Sequence, residues 1–420
     1  NYYVGVRPEN YIGTAGEPQT FELVVVNNRG FEVPEHPIIV DIIEKRWHSV
    51  QVQDSDGYIH WESSVEEIPV ESFDDISTGE DGSAVVRFTP PSGGYYVARA
   101  SVRDRRENQA RASTSMWVSG SDYVPWQQYD HNKLDLILDR DSYTVGDTAD
   151  IMIASPFQGA AYALVTIERS RLRRWEVIPI NSNSTRIQIP VTEDMAPNAF
   201  LSVLIIKGMD DTQSLPDHAI GLAEIKVDTR QKEIHVTVTP DQEEAGPRQT
   251  VTFTVQTMDY NEDPVSAEVA LSLSDLATLL LKPSSTLPML DFFYSERLNE
   301  ISTSVPLDLL LEDFNTNIEE DIADGEGMGS GGGGKGEGLT GVMQVRQDFP
   351  DTAYWNARVI TDESGTAIIE VRLPDNLTTW RMDARAATIE TLVGQTTIDL
   401  LSSKPLLLRP QTPRFFVVGD

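Results

Sequence analysis

The feature that most constrains this chain is a period of two. Short runs alternate apolar and polar residues: Phe21-Glu22-Leu23-Val24-Val25-Val26 ahead of Asn27-Asn28-Arg29-Gly30, and Ile234-His235-Val236-Thr237-Val238-Thr239. Such runs are rich in Val, Ile, Thr and Tyr and are set apart by Gly, Pro, Asn and Asp at intervals of about 8 to 12 residues, the pattern of strands that bury one face. Serial antiparallel β-sandwiches follow. Helical patterning is confined to residues 273–281 and 289–298.

A strand-turn-strand phrase centred on glycine recurs, and recurrence is a sound guide to domain edges. Tyr11-Ile12-Gly13-Thr14-Ala15-Gly16-Glu17-Pro18, Tyr143-Thr144-Val145-Gly146-Asp147-Thr148 and Glu244-Ala245-Gly246-Pro247-Arg248 each lead into an alternating run, and Phe415-Phe416-Val417-Val418-Gly419-Asp420 has the form of a fourth copy. Gly16 to Gly146 and Gly146 to Gly246 are separated by about one sandwich each, whereas Gly246 to Gly419 leaves an excess of roughly 40 to 70 residues. That excess lies where the β pattern fails. Glu312, Asp313, Glu319, Glu320, Asp321, Asp324 and Glu326 lead into Gly329-Ser330-Gly331-Gly332-Gly333-Gly334, a composition that cannot offset the entropy of ordering. Strand patterning resumes near Asp351. There Glu363-Ser364-Gly365-Thr366-Ala367-Ile368-Ile369 echoes Glu80-Asp81-Gly82-Ser83-Ala84-Val85-Val86. The expected organisation is a sandwich over residues 1–120, a second over 121–230, and a third over 231–300 plus 347–402. A long flexible insertion, residues 301–346, interrupts the third, and the start of a further domain occupies 403–420.

The 420 residues carry a formal net charge of -33 and no cysteine. Like-charge repulsion argues against nucleic acid or an anionic membrane face as partner. Without cysteine there are no disulfides, thiolate metal sites or cysteine nucleophiles. No apolar run is long enough to span a bilayer, so direct membrane insertion is not expected of these residues, and Asn1-Tyr2-Tyr3-Val4-Gly5 lacks a signal-peptide pattern. Arg171, Arg173 and Arg174 read as a solvated strand edge. The tryptophans at 47, 61, 117, 126, 175, 355 and 380 read as packing. The six histidines show no metal-ligand spacing, and no Gly-x-Ser-x-Gly elbow is present. Gly329 to Lys335 approaches a phosphate-binding loop, but Gly336 stands where Ser or Thr would hold magnesium. No catalytic, cofactor-binding or metal-binding residue is assigned, and no cofactor is expected.

Several phrases resemble the alpha-2-macroglobulins, especially their bacterial members. They are Gly93-Gly94-Tyr95-Tyr96-Val97-Ala98-Arg99-Ala100, Ala112-Ser113-Thr114-Ser115-Met116-Trp117-Val118-Ser119-Gly120, Leu164-Val165-Thr166-Ile167-Glu168-Arg169 and Val191-Thr192-Glu193-Asp194-Met195-Ala196-Pro197-Asn198. The most specific ones flank the insertion: Leu290-Asp291-Phe292-Phe293-Tyr294 before it, with Phe349-Pro350-Asp351-Thr352-Ala353-Tyr354-Trp355-Asn356 and Leu373-Pro374-Asp375-Asn376 after it. The resemblance implies macroglobulin-like sandwiches and a split third domain hosting a bait region. It implies a non-enzymatic, broad-range endopeptidase inhibitor of host-defence type that changes shape and encloses the protease once the bait is cut. Target endopeptidases and neighbouring domains of the full-length protein are then the partners, in an extracytoplasmic, periplasmic or cell-surface setting. The Cys-Gly-Glu-Gln thioester that many members carry is absent here; it would lie well beyond Asp420, and these residues do not say whether one is present.

A bait must present several specificities on an exposed chain. With boundaries at Ile301 and Arg346, the insertion offers Lys335 and Arg346 to trypsin-like enzymes, and Leu309, Leu310, Leu311, Phe314, Leu339 and Met343 to chymotrypsin-like ones. Lys335, flanked by glycines, is the most accessible. The competing expectation is a structural or adhesive cell-envelope protein of serial sandwiches, with the acidic, glycine-rich segment as spacer.

Overall fold

A computed structural model describes residues 1–57, 59–211, 215–281, 287–303 and 349–404. The chain divides into two units. The first comprises Asn1–Asp228 and residues 296–303; the second comprises Thr229–Ser295 and residues 349–404.

Unit 1 holds two sandwiches. The first is built from β1 (Tyr2–Pro8), β2 (Ile12–Thr14), β3 (Gln19–Asn27), β4 (Pro37–Gln53), β5 (Ile59–Ser77), β6 (Ser83–Phe88), β7 (Gly94–Arg103) and β8 (Gln109–Ser119), arranged as sheets β1-β3-β6 and β2-β8-β7-β4-β5. Alternation places the core: Ala84, Val86 and Phe88 of β6 are buried while Val85 between them is 52% exposed. Tyr96 is fully buried and donates its hydroxyl to Ser92 O at 3.0 Å. The second sandwich contains β9 (Asp135–Leu138), β10 (Thr148–Ala154), β11 (Ala161–Glu168), β12 (Leu172–Ile180), β13 (Ser184–Pro190), β14 (Asn198–Lys207) and β15 (Asp217–Lys226), as sheets β13-β10-β9 and β12-β11-β14-β15. Its core runs through Ile151, Ile153, Ala163, Ile167, Leu201 and Ile205.

The connection between these two sandwiches is pinned at Asn183. Its Oδ1 accepts the Val124 N–H at 2.9 Å and its Nδ2 donates to Val124 O at 2.6 Å, so one side chain takes both polar groups of one residue. Trp126 Nε1 donates to Asn183 O at 2.8 Å. Val124 and Trp126 are each 4% exposed and pack with Trp47, Tyr95 and Trp117, so this joint is both hydrogen-bonded and apolar. Other tryptophans depart from the packing expectation. Trp380 is buried, but Trp175 and Trp355 stand largely exposed on outward strand faces. The arginine cluster also differs in part: Arg173 and Arg174 lie on the edge strand β12, with Arg171 just before it, but Arg173 is mostly buried against Asp194 at 2.8 Å rather than solvated.

Unit 2 is the third sandwich. Before the insertion come β16 (His235–Pro240), β17 (Glu244–Ala245), β18 (Thr250–Met258), β19 (Glu268–Asp275) and two short helices, α1 (Leu276–Leu281) and α2 (Met289–Phe293). After it come β20 (Thr352–Ile360), β21 (Thr366–Arg372), β22 (Thr379–Ala387) and β23 (Val393–Ser402). The sheets are β16-β18-β21 and β17-β23-β22-β19-β20. Helix is shorter than the pattern suggests: residues 273–275 complete β19, and residues 294–298 are not helical.

Three copies of the glycine phrase have a common structural meaning. In each, the residues ahead of the turn pair in parallel with the last strand of their own sandwich or the residue just past it: Ile12–Thr14 with Trp117 to Ser119, Tyr143 with Val227 just beyond β15, and Glu244–Ala245 with Leu401 and Ser402. Two further isolated parallel bridges, Lys133 with Ile220 and Glu233 with Val393, also join the last strands of the second and third sandwiches. Gly16 and Gly146 take the left-handed conformation, whereas in the third copy Arg248 does so and Gly246 does not.

Candidate functional site

The sequence-derived cleavage candidates Leu310, Leu311, Phe314, Lys335, Leu339, Met343 and Arg346 lie outside the described residues, as do residues 405–420 of the expected next domain. Ile301, the expected start of the bait, is described and half-buried. The geometry therefore concerns what frames the insertion.

Strands from the two sides of the insertion are interleaved. β18 pairs with β21 from Thr250↔Arg372 to Gln256↔Thr366, and β19 lies between β20 and β22, with Leu273 opposite both Tyr354 and Met382. One core contains Val251, Phe253, Val255, Val269, Leu271 and Leu273 from before it, and Val371, Leu373, Trp380, Met382 and Leu400 from after it. Polar groups bridge the same gap. Fully buried Thr257 and Thr361 bring their hydroxyls to 2.9 Å, the Thr361 hydroxyl accepts Ala267 N–H at 2.8 Å, and Thr257 N donates to Gly365 O at 2.9 Å. Arg248 makes a bidentate contact to Asp375, 2.9 Å from Nε and 2.8 Å from Nη2, and the Asp375 side chain is only 2% exposed. At the C-terminal border, Asp351 O accepts Asp275 N–H at 2.8 Å.

The N-terminal border is different. After Ser295 the chain joins unit 1, and residues 296–301 run along the end of the second sandwich. Arg297 N donates to Asn198 Oδ1 at 2.9 Å while Asn198 Nδ2 donates to Arg297 O at 2.9 Å. Asn198 is fully buried, and its Nδ2 also reaches Glu224 Oε1 at 2.6 Å. Asn299 Nδ2 donates to Glu168 Oε2 at 3.1 Å, Glu300 N to Arg169 O at 2.8 Å, and Lys226 Nζ meets Glu296 at 2.9 Å. Arg169 positions the cradle, because its Nη1 donates to Ala196 O at 2.8 Å and Asn198 O at 3.0 Å. Burial, then repulsion from Arg173 and Arg297, holds the Arg169 guanidinium below the usual arginine range. The Glu296 carboxylate raises Lys226 above the usual lysine value.

Three family models match separate stretches: bacterial macroglobulin domain 6 over residues 5–120, the alpha-2-macroglobulin bait region domain over 134–281, and the alpha-2-macroglobulin family over 352–420. The chain belongs to the alpha-2-macroglobulin family. Among its relatives, an alpha-2-macroglobulin homolog of Nostoc is 28% identical over 427 residues, which cover 100% of this chain and 22% of that protein. Alpha-2-macroglobulin of Ralstonia nicotianae is 28% identical over 81% of this chain and 21% of its own length. The chain thus spans about a fifth of the length of these relatives. Solved structures similar to it include the native conformation of Escherichia coli alpha-2-macroglobulin, at 18% identity and TM-score 0.35, covering 100% of this chain and 26% of that one. The trypsin-activated form from the same organism matches at 17% identity and TM-score 0.36, covering 99% and 27%.

Within this chain, the phrases that carry the likeness converge. Leu164 to Arg169 and Val191 to Asn198 supply both walls of the cradle around residues 296–301, and Leu373 to Asn376 supplies the buried carboxylate that meets Arg248. Nothing in the sequence singled out Asn198, since a lone asparagine at the head of a strand has many ordinary uses.

Proposed function

We propose that this chain is the bait-bearing part of a non-catalytic endopeptidase inhibitor, with residues 301–346 as the segment that target proteases cut. The observation that carries the reading is the interleaving of β18 to β19 with β20 to β22. A cut between Ile301 and Phe349 severs a covalent link inside one sandwich rather than a linker between two. A second observation supports it: residues 301–346 fall between the matched stretches 134–281 and 352–420. A segment selected for being cut answers to protease specificity rather than to a fold, so its sequence is free to diverge where its neighbours are not. Enclosure of the protease is assigned to the full-length inhibitor, since this chain spans only about a fifth of the length of its curated relatives, and an extracytoplasmic, periplasmic or cell-surface setting, where foreign endopeptidases are met, suits that role.

The test is limited proteolysis with trypsin and with chymotrypsin separately, with early cuts mapped by mass spectrometry and shape followed by small-angle scattering. First cuts at Lys335 or Arg346 with trypsin, and at Leu310, Leu311, Phe314, Leu339 or Met343 with chymotrypsin, accompanied by altered scattering, support the reading. Early cuts outside residues 301–346 with both enzymes overturn it.

A further inference from the structure

The cradle around residues 296–301 resembles the joint between the first two sandwiches in one respect and departs from it in another. In both, a single asparagine side chain takes the N–H and the C=O of one residue: Asn183 with Val124, and Asn198 with Arg297. At the joint the clamp is backed by buried Val124 and Trp126. Along 296–300 no buried apolar side chain accompanies it, and Ile301 beyond is only half-buried: Leu298 is 85% exposed, and Glu296, Arg297 and Glu300 are exposed as well. Among the described residues the segment is therefore held mainly through hydrogen bonds and an ion pair to Lys226. Contacts of that kind open at a fraction of the cost of unfolding the sandwich beneath them.

The sandwich side, in contrast, is built to be occupied. Asn198 is 0% exposed and Glu168 3% exposed, and one Glu168 oxygen already accepts the Thr166 hydroxyl at 2.5 Å. If the segment left without replacement, the Asn198 amide and the second Glu168 oxygen would lose the partners it supplies at a buried edge, a cost that favours re-docking. A cheap release joined to a strong preference for re-engagement is the behaviour of a latch.

We propose that Asn198, Glu168 and the Arg169 carbonyl form a latch for residues 296–301, holding the chain immediately before the bait on the second sandwich and letting go as a unit without unfolding of that sandwich. The name of the segment it holds rests on the bait reading; the latch itself does not. When engaged, it keeps the N-terminal flank on unit 1 before and after a cut. When released, residues 296–301 become continuous with the free end that the cut creates. Arg169 is a positioning residue, since it orders the 195–198 turn through its guanidinium and offers only its carbonyl to the segment.

The test uses the full uncut chain and two variants. Asn299→Ala with Glu300→Pro removes two latch contacts from the segment alone and leaves every sandwich residue in place. Asn198→Asp sets a carboxylate oxygen against Arg297 O. The main readout is hydrogen exchange at the Arg297 amide, whose intrinsic rate is insensitive to residues 299 and 300. The second readout is the rate of trypsin cleavage after Arg297, whose side chain is exposed while its peptide group is clamped. In the wild-type chain the Arg297 amide exchanges slowly. The double variant speeds both exchange and cleavage there by about tenfold or more, as expected for loss of one to two net hydrogen bonds, with the melting of unit 1 unchanged. Unprotected exchange at Arg297 in the wild type overturns the latch, and so does a folded double variant with wild-type rates. Should Asn198→Asp unfold the second sandwich, the double variant still decides. Proteolysis starting outside residues 301–346 would sink the bait reading and leave these exchange results standing.

Discussion

Cutting the chain between Ile301 and Phe349 should leave the third sandwich assembled but weaker by an amount that can be worked out. The segments on either side share two sheets and one core, in which Val371, Leu373, Trp380, Met382 and Leu400 from the later part are each 2% exposed or less. Side chains of this kind contribute about 1.5 to 3 kcal/mol apiece when fully buried, so the two parts should stay together. What the cut removes is the tether. A tether of this length supplies an effective concentration in the millimolar range. At micromolar protein its loss lowers that concentration about a thousandfold, which weakens the assembly by roughly 4 kcal/mol. With about 3 to 5 °C per kcal/mol for a domain of this size, melting of the third sandwich should fall by roughly 12 to 20 °C. It should also become concentration-dependent, rising as protein is added. The assay is digestion with trypsin followed by gel filtration in native buffer and in denaturant, with calorimetry at two protein concentrations. Fragments that separate in native buffer at micromolar concentration would refute the reasoning, and so would a concentration-independent melt.

Gly365 has φ of +70°, and a Cβ there would lie 2.3 Å from Thr257 O, whereas Gly16 at φ +80° has open space. Gly365→Ala should therefore destabilise by at least about 2 kcal/mol and Gly16→Ala by about 1 kcal/mol, a ranking that chemical denaturation would check. Arg248→Met deprives the buried Asp375 of its bidentate contact. It should cost about 2 to 3 kcal/mol, below the roughly 3 to 5 kcal/mol of a fully buried pair because Arg248 is 42% exposed; an additional Asp375→Leu change should recover part of this in urea unfolding. Asp104 is held down to about 2, first by the Asn108 side-chain amide at 3.0 Å and further by the Arg106 and Asn108 N–H groups. A depressed carboxylate stabilises fully above its unfolded value near 3.9 and loses that contribution as pH falls toward about 2. Asp104→Asn should accordingly flatten the fall in melting temperature between about pH 4 and pH 2, and an unchanged acid limb would contradict the assignment.

The period-two alternation was enough to establish an all-β chain, because a strand with one buried face requires it: Val251, Phe253 and Val255 alternate inward as the pattern demands. The glycine phrase was equally legible as a repeat. Its meaning was not, since parallel pairing of Ile12–Thr14 with Trp117 to Ser119 joins residues about a hundred positions apart, and local spacing carries no record of that. Exposure of Trp175 and Trp355 was likewise beyond the sequence, because which face of an edge strand is covered depends on the sheet beside it. The same holds for Arg173, whose neighbour Asp194 arrives from a different element. Of the site, composition alone drew attention to residues 301–346 as a break in β patterning. Only the fold brought Asn198, Glu168 and Arg169 together against residues 296–301, across about a hundred residues of chain. Patterning reports which residues prefer burial; hydrogen bonds between distant segments are chosen by packing, and in this protein those bonds hold the chain just before the segment proposed as bait.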